Sequence, residues 1–196
     1  SKVILLTGAS SGIGFQTAEH LAKQGHKVYG AARRVEQMEA LKPLGVVPLM
    51  LDLTQEASIA EAVAHVIACE KRIDVLINNA GYGIFEEFDQ ISDQDIHQMF
   101  EVNAFALMNL SRRIAARMKE SRKGHIINIV SMAGLIATGK SSLYSATKFA
   151  AIGFSNALRL ELMSYSVYVT TVNPGPIRTG FFDQADPDGT CLLYTS

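Results

Sequence analysis

Six short apolar runs recur along the chain, and most do not alternate between apolar and polar residues. They cover residues 3–6, 27–31, 46–51, 74–78, 125–130 and 167–172. Continuous apolar character is what a strand needs when a parallel sheet buries it on both faces. The segments between the runs are long enough to hold helices, so the pattern predicts a succession of βα units.

Helical periodicity appears in several of the connecting segments. Apolar residues at helical spacing from 59 to 67 predict an amphipathic helix that covers the sheet. Asp93 is predicted to cap a helix that runs in two pieces to about residue 122, and Ser141 or Ser142 to cap one that ends near residue 164. Crossovers between parallel strands are right-handed, so these helices should cover both faces of a doubly wound α/β domain.

Composition favours one domain and a small-molecule partner. A chain of 196 residues with 48% hydrophobic content can bury one sizeable core, but is short for two ordinary domains. The net charge of -1 offers no basic field for nucleic acid. Cys69 and Cys191 match no metal or redox spacing. No signal-like opening or membrane-length apolar run occurs, so a cytoplasmic protein without a membrane span is expected.

A glycine-rich loop follows the first predicted strand, where a helix is predicted to begin. Its residues of interest are Gly8, Ser10, Ser11, Gly12, Ile13 and Gly14. Glycine lets the backbone turn tightly and approach a ligand, and the amides at a helix start attract a pyrophosphate. The loop therefore predicts a dinucleotide site, with a tight turn that binds no ligand as the alternative.

The residues after the second predicted strand bear on the choice of cofactor. In such units an acidic residue about twenty positions after the glycines usually holds the adenosine ribose. Here Arg33 and Arg34 occupy that region, and the first carboxylate, Glu36, comes later. Two guanidinium groups suit a ribose phosphate, which favours NADP (NADPH) over NAD. Alternatively, both arginines only solvate the edge of a loop.

Further motifs occur in register with the glycine loop. They are Asn78-Asn79-Ala80-Gly81, Asn103, Ser131, Tyr144-Ser145-Ala146-Thr147-Lys148 and Asn173-Pro174-Gly175. In order and spacing, this set resembles the short-chain dehydrogenase/reductase family over nearly the whole chain. The resemblance implies a Rossmann-type parallel sheet with helices on both faces. It also implies an NAD(P)-dependent oxidoreductase that acts on CH-OH or C=O groups without a metal.

Tyr144 and Lys148 are four residues apart and therefore share one helix face. A nearby ammonium is expected to lower the pKa of Tyr144 toward the working pH, which makes this tyrosine the candidate general acid/base. Ser131, at the end of a strand, could hydrogen-bond to the substrate oxygen. By resemblance, Lys148 also binds the nicotinamide ribose, and Asn103 anchors a water on the proton path. Ordinary helix, cap and core roles are the alternatives.

Other cofactor contacts are expected beside the third and fourth strands. By resemblance, Asp52 accepts a hydrogen bond from the adenine amino group, with Leu53 beside it, whereas a helix cap is the alternative role. Asn79, Ala80 and Gly81 are expected to bring the backbone close to the cofactor. Asn79 can also tie adjacent strands together, and the two roles are compatible.

The segment after the sixth strand is expected to bend over the nicotinamide. Pro174, Gly175, Ile177 and Thr179 are the residues implied by the resemblance, and a rigid loop without a ligand is the alternative. The residues expected near the substrate are Tyr82, 134–137, Phe181 and Phe182. Most are apolar or aromatic, which favours a hydrophobic carbonyl or alcohol over a phosphorylated sugar.

The chain departs from the family pattern beyond the sixth strand. Members usually continue with a substrate lid, another helix and a final strand. Residues 1–182 are therefore interpreted as the NAD(P)-binding domain, and 183–196 as a partial lid or a non-native tail. The expectation is a C-terminally truncated form that lacks the final strand. Its full-length parent is expected to form a homodimer or homotetramer.

Three other functions are consistent with parts of the pattern. A non-catalytic dinucleotide sensor could have the same fold, since fold alone does not determine function. An inactive truncated fragment of such an enzyme is a related possibility. A sugar-nucleotide epimerase or dehydratase shares the tyrosine and lysine, but the spacing of Gly8, Gly12 and Gly14 argues against it.

Overall fold

A computed structural model describes residues 1–175 of the chain. Within them, one sheet contains the strands β1 (Val3–Thr7), β2 (Lys27–Ala32), β3 (Val47–Met50), β4 (Val75–Asn78), β5 (Gly124–Ile129) and β6 (Val167–Val172). The strand order is β3-β2-β1-β4-β5-β6, and every neighbouring pair is parallel. The six predicted strands are confirmed, with small differences at their ends.

Helices connect the strands. The α-helices are α1 (Gly12–Lys23), α2 (Glu56–Glu70), α3 (Asp93–Phe100), α4 (Ala106–Ser121) and α5 (Ser142–Met163). A 3₁₀ helix, Val35–Leu44, connects β2 to β3, and short 3₁₀ turns occur at Phe88–Gln90 and Met132–Gly134. A π-helical turn, Glu101–Phe105, joins α3 to α4. The amphipathic helix expected over residues 59–67 is confirmed as part of α2.

The helix predicted to run in two pieces is confirmed as α3, the π-helical turn and α4. Its cap, however, is Ser92 and not Asp93, because the Ser92 hydroxyl accepts from the Asp95 amide at 3.1 Å. At α5, Ser141 occupies the N-cap position, but its hydroxyl bonds to Thr138 and Ser145 and not to an amide of the first turn. The sequence therefore predicted where each helix begins to within one residue, but not which side chain caps it.

The two faces of the sheet bury separate apolar clusters. Val3 and Leu5 of β1 point to the face covered by α2, α4 and α5, whereas Ile4 and Leu6 point to the face covered by α1 and the 3₁₀ helix. Successive strand residues alternate between faces, so both sets must be apolar. The doubly wound prediction is confirmed.

The strand order reverses between β1 and β4, which places a crevice at their carboxyl ends. The glycine loop leaves β1 there, and the Asn79 segment leaves β4 beside it. Among residues 1–175, no helix is long and apolar enough to span a membrane. The same part of the chain contains no group of three potential metal ligands.

Candidate active site

A cavity of about 1470 Å³ opens at this crevice. Nearly all of the expected cofactor residues that the structure describes line it: Gly8, Ser10, Ser11, Gly12, Ile13, Arg33, Arg34, Asp52, Leu53, Asn79, Ala80, Gly81, Tyr144, Lys148, Pro174 and Gly175. Ser131 lines the same cavity. Ile177, Thr179, Phe181 and Phe182 lie outside the described residues. Tertiary structure thus brings together residues that are far apart in sequence.

The glycine loop has a conformation that side chains would obstruct. Gly8 and Gly12 have φ values of 69° and 53°, which L-residues rarely adopt. A Cβ at Gly8 would approach the Ala80 Cα to 2.8 Å. A Cβ at Gly14 would collide with the Gly8 carbonyl oxygen and the Asn79 amide. Gly14 does not line the cavity but lets α1 pack closely against the loop.

Asn79 holds the two sides of the crevice together. Its Nδ2 donates to the carbonyls of Thr7 and Gly8 at 3.0 and 3.3 Å. The Thr7 hydroxyl accepts in return from the amides of Asn79 and Ala80 at 3.0 and 3.1 Å. The strand-tying role of Asn79 is therefore present, and its backbone also borders the cavity. The sequence-based prediction did not assign this role to Thr7, although its polar side chain in an apolar strand was a signal.

The region near β2 and β3 offers positive charge to a ligand. Arg33 and Arg34 are exposed, and neither forms an ion pair with another residue of 1–175. The amide and hydroxyl of Thr54 donate to Asp52 Oδ1 at 3.0 and 2.7 Å. These bonds, with the charge of Arg33, hold the pKa of Asp52 below its usual range. The helix-cap alternative for Asp52 is wrong, since Gln55 precedes the first residue of α2.

Three of the four candidate catalytic side chains, those of Ser131, Tyr144 and Lys148, line the same cavity. Lys148 Nζ lies 5.5 Å from the centre of the Tyr144 ring, and both residues are about 5% exposed. Ser131, just after β5, forms a side-chain hydrogen bond with Tyr144 that lowers the tyrosine pKa. The Ser131 hydroxyl also accepts from the Ala133 amide at 3.1 Å. Helix α5 and the end of β5 therefore bring phenol, hydroxyl and ammonium together.

The expected lowering of the Tyr144 pKa is wrong. Burial of the phenol outweighs the Ser131 hydrogen bond and raises the pKa of Tyr144. Burial also lowers the pKa of Lys148 from 10.5 to about 8, because the charged ammonium loses its hydration. The pattern of two residues four apart predicts their proximity but not how deeply both are buried.

Asn103 lies behind the cavity wall and does not line the cavity. Its side chain accepts from the Tyr82 amide at 3.1 Å and donates to the Tyr82 carbonyl at 2.8 Å. A Cβ placed on Gly81 would lie 3.2 Å from both Asn103 Oδ1 and Lys148 Nζ. Asn103 thus fixes the loop after β4 beside the lysine, and the π-helical turn around it sets its position.

The remaining cavity wall contains both apolar and polar side chains, whereas the sequence suggested mostly apolar ones. Apolar lining comes from Tyr82, Ile84, Phe85, Met132, Ala133 and Ile136, and polar lining from Glu87, Gln98, Thr138 and Lys140. Of the predicted segment 134–137, only Ile136 lines the cavity. Gly134 instead packs against α5, where a Cβ would come within 2.9 Å of the Lys148 carbonyl oxygen.

A buried polar chain beneath the site was not predicted. Asn78 Nδ2 donates to Ser111 and to Asn128 at 3.2 and 2.8 Å. Asn128 in turn donates to the Ser155 hydroxyl at 2.8 Å. These bonds connect β4 and β5 to α4 and α5. Asparagines inside otherwise apolar strands were the available signal.

Comparison with known proteins places the chain in a family. The model of the short chain dehydrogenase family matches residues 2–189. A 3-ketodihydrosphingosine reductase of Bacteroides thetaiotaomicron is 39% identical over 93% of this chain and 66% of its own length. The chain therefore spans about two thirds of that relative.

Two solved structures share the fold at substantial sequence identity. A short-chain dehydrogenase from Sphingobium yanoikuyae in complex with NADPH is 36% identical, with a TM-score of 0.87 over 94% of this chain and 75% of that one. A 3-ketoacyl-(acyl-carrier-protein) reductase from Brucella melitensis complexed with NADH is 26% identical, with a TM-score of 0.89 over 92% and 78%. Together with the family match, these likenesses show that the chain belongs to the short-chain dehydrogenase family.

Proposed function

We propose that this chain, or the longer enzyme of which it is part, interconverts a ketone or aldehyde and an alcohol by hydride transfer with NADP. Tyr144 serves as the general acid/base. The observation that carries the proposal is the placement of Ser131, Tyr144 and Lys148 on the wall of the same cavity as the glycine loop. Binding of a dinucleotide alone would not require the hydrogen-bonded phenol of Tyr144 and hydroxyl of Ser131 at that position.

The residues of the outer cavity fit a dinucleotide. The glycine loop brings backbone to the start of α1, whose first amides have no partner within the helix and can donate to a pyrophosphate. Asp52 and Leu53, which line the cavity, are proposed to hold the adenine, and Lys148 is proposed to bind the nicotinamide ribose. When bound, the nicotinamide supplies or accepts the hydride.

The side chains at the inner end supply the proton and orient the oxygen. Burial keeps Tyr144 protonated, so in the reducing direction its hydroxyl can donate a proton to the carbonyl oxygen. Ser131 can hydrogen-bond to the same oxygen as negative charge develops there. The Lys148 ammonium adds positive charge next to the tyrosine as it becomes a phenolate. Asn103 supports this geometry through the Tyr82 backbone, and a water it anchors is part of the proposed proton path.

NADP is proposed as the preferred cofactor because Arg33 and Arg34 are exposed at the cavity and have no ion-pair partner within residues 1–175. A 2′-phosphate would accept charge-assisted hydrogen bonds from them. The related structures include complexes with NADPH and with NADH. The proposed preference for NADP therefore rests on Arg33 and Arg34 of this chain.

The proposed substrate is a small carbonyl compound or alcohol with a hydrophobic body. Ile84, Phe85, Met132 and Ile136 are apolar residues that line the cavity together with Tyr144, and desolvation of a sugar phosphate against them would be costly. The related reductase from Bacteroides is named for a keto compound, 3-ketodihydrosphingosine, which agrees with a carbonyl substrate. A cytoplasmic location and a homodimer or homotetramer of the full-length parent are part of the same proposal.

Turnover of NADPH with a panel of ketones, aldehydes and quinones tests the proposed function. We expect Tyr144→Phe to lower kcat by roughly 100-fold or more, because it removes the proton donor, while NADPH affinity stays nearly unchanged. The same assay should include a version extended with the C-terminal region of the Bacteroides relative.

Each outcome of this assay has a separate meaning. Turnover only in the extended version would assign the chemistry to the longer enzyme. Tight NADPH binding without turnover in either version would reject the proposal in favour of a dinucleotide sensor. Turnover that is unchanged in Tyr144→Phe would show that Tyr144 is not the general acid/base.

A further inference from the structure

Thr147 lies between the two candidate catalytic residues in sequence and links them to the π-helical turn. Its side chain is fully buried. The hydroxyl donates to the Tyr144 carbonyl at 2.7 Å and accepts from Asn103 Nδ2 at 3.2 Å. It therefore has both a donor and an acceptor partner, one on its own helix and one on another element.

Beyond Thr147, the hydrogen bonds continue to the loop that borders the cofactor site. Asn103 bonds to both the amide and the carbonyl of Tyr82. Gly81 is next to Tyr82, and a side chain there would meet Asn103 and Lys148. A continuous path thus runs from the Tyr144 backbone through Thr147 and Asn103 to the loop after β4.

We propose that Thr147 is a positioning residue that sets how Tyr144 meets Ser131, and this inference rests on the proposed function. Without the Thr147 hydroxyl, Asn103 would still bond to the Tyr82 backbone but would lose its hydrogen bond to α5. The first turns of α5 could then shift relative to the loop after β4. Proton transfer needs the Tyr144 hydroxyl within hydrogen-bond distance of the substrate oxygen. Small shifts of the first turns of α5 would therefore reduce turnover.

The same helix contains a matched control. Ser155 is also fully buried, donates to the Ala151 carbonyl at 2.6 Å, and accepts from Asn128 Nδ2 at 2.8 Å. Its hydroxyl therefore makes the same two types of bond as Thr147, but to residues that do not line the cavity. Loss of either hydroxyl should cost similar stability, whereas only Thr147 connects to Tyr144.

The test compares Thr147→Val, Thr147→Ser and Ser155→Ala in the longest active form of the enzyme. Valine keeps the shape of threonine and removes the hydroxyl, so we expect kcat to fall roughly tenfold, the effect of one lost buried hydrogen bond. Thr147→Ser should restore turnover, and NADPH affinity should remain unchanged in all three. Ser155→Ala should lower the unfolding temperature by a similar amount to Thr147→Val without lowering kcat.

A second readout does not depend on turnover. Tyrosinate absorbance, corrected with the Tyr144→Phe variant, reports the titration of Tyr144 alone. The Ser131 hydrogen bond lowers the pKa of Tyr144, so a misplaced tyrosine in Thr147→Val should titrate at higher pH than in the unaltered protein. Ser155→Ala should not change the pH at which Tyr144 titrates.

The outcomes separate this inference from the proposed function. If Thr147→Val matches Ser155→Ala in both kcat and tyrosine titration, Thr147 has only a structural role and the inference is wrong. If the unaltered enzyme turns over no carbonyl compound, the proposed function fails. In that case the titration alone decides whether Thr147 positions Tyr144.

Discussion

Lys148 is a buried cation within the described part of the chain and forms no ion pair there. Burial of an ammonium costs free energy, which is why the pKa of Lys148 falls to about 8. The folded protein tolerates this cost at the position where a positive charge would assist Tyr144. The residue is thus expected to stabilise the reaction at the expense of the fold.

Lys148→Met should therefore stabilise the protein in the absence of cofactor. At pH 7 the gain should be at most about 3 kcal/mol, since the lysine pKa falls from 10.5 to about 8 on folding. Between those two pH values the unfolded chain binds more protons than the folded one, so the unaltered protein gains stability as pH rises. The advantage of the methionine variant should shrink accordingly.

Urea unfolding at pH 7 and pH 10 measures this difference. Lys23→Met is the control, because Lys23 is exposed and pairs with Glu19 on the helix surface. It should change stability little, and nearly equally at both pH values. A Lys148→Met variant less stable than the unaltered protein at pH 7 would show that burial of the lysine is not a net cost.

Helices α1 and α5 each contain an internal glycine, and their surroundings differ. Gly14 in α1 lies so close to Gly8 and Asn79 that a Cβ would collide with both. Gly153 in α5 is exposed, and a Cβ there would meet nothing within 4 Å. Tertiary contacts therefore require glycine at one position and leave the other free.

The substitutions Gly14→Ala and Gly153→Ala should act in opposite directions. Gly14→Ala should destabilise the fold by about 1–3 kcal/mol and weaken NADPH binding, since α1 must move away from the glycine loop. Gly153→Ala should stabilise it by about 0.5–1 kcal/mol, the ordinary preference of a helix for alanine. Denaturant unfolding and NADPH titration of both variants provide the test, and wild-type NADPH affinity in Gly14→Ala would contradict it.

At the scale of the whole molecule, the cavity joins the two halves of the sheet. Its lining comes from the ends of β1, β2 and β3 on one side and of β4 and β5 on the other. A ligand that contacts both halves binds the folded chain and not the unfolded one, so it raises stability by mass action. Arg33 and Arg34 also line the cavity, and they should determine whether NADPH or NADH binds more tightly.

NADPH should therefore stabilise the protein more than NADH does. At 100 times its Kd, NADPH should add about 2.7 kcal/mol. Arg33→Ala/Arg34→Ala should weaken NADPH binding roughly tenfold or more, as expected when charge-assisted hydrogen bonds to a phosphate are lost, and leave NADH nearly unaffected. Thermal unfolding with each cofactor measures both effects.

The control for charge is Arg112→Ala/Arg117→Ala, which removes two exposed arginines of α4 away from the cavity. Its response to NADPH should equal that of the unaltered protein. Equal stabilisation of the unaltered protein by NADH and NADPH would reject the proposed preference for NADP.

Much of the fold could be predicted from the sequence because its signals are local. Apolar runs such as 3–6 mark strands buried on both faces, and the periodic segment at 59–67 marks α2. The family could be identified because several short motifs occur in the expected order and spacing: the glycine loop, the Asn79 segment, Asn103, Ser131, the Tyr144–Lys148 segment and Asn173-Pro174-Gly175. These features depend on neighbours a few residues apart, which a sequence contains directly.

What only the tertiary structure decided is the environment of those residues. The sequence placed Lys148 beside Tyr144, but the direction of both pKa shifts depends on burial by distant elements. Likewise, Asn103 reaches Thr147 across 44 positions, and Asn79 reaches Thr7 across 72. Desolvation and long-range hydrogen bonds arise when separate elements pack together, so no local pattern determines them.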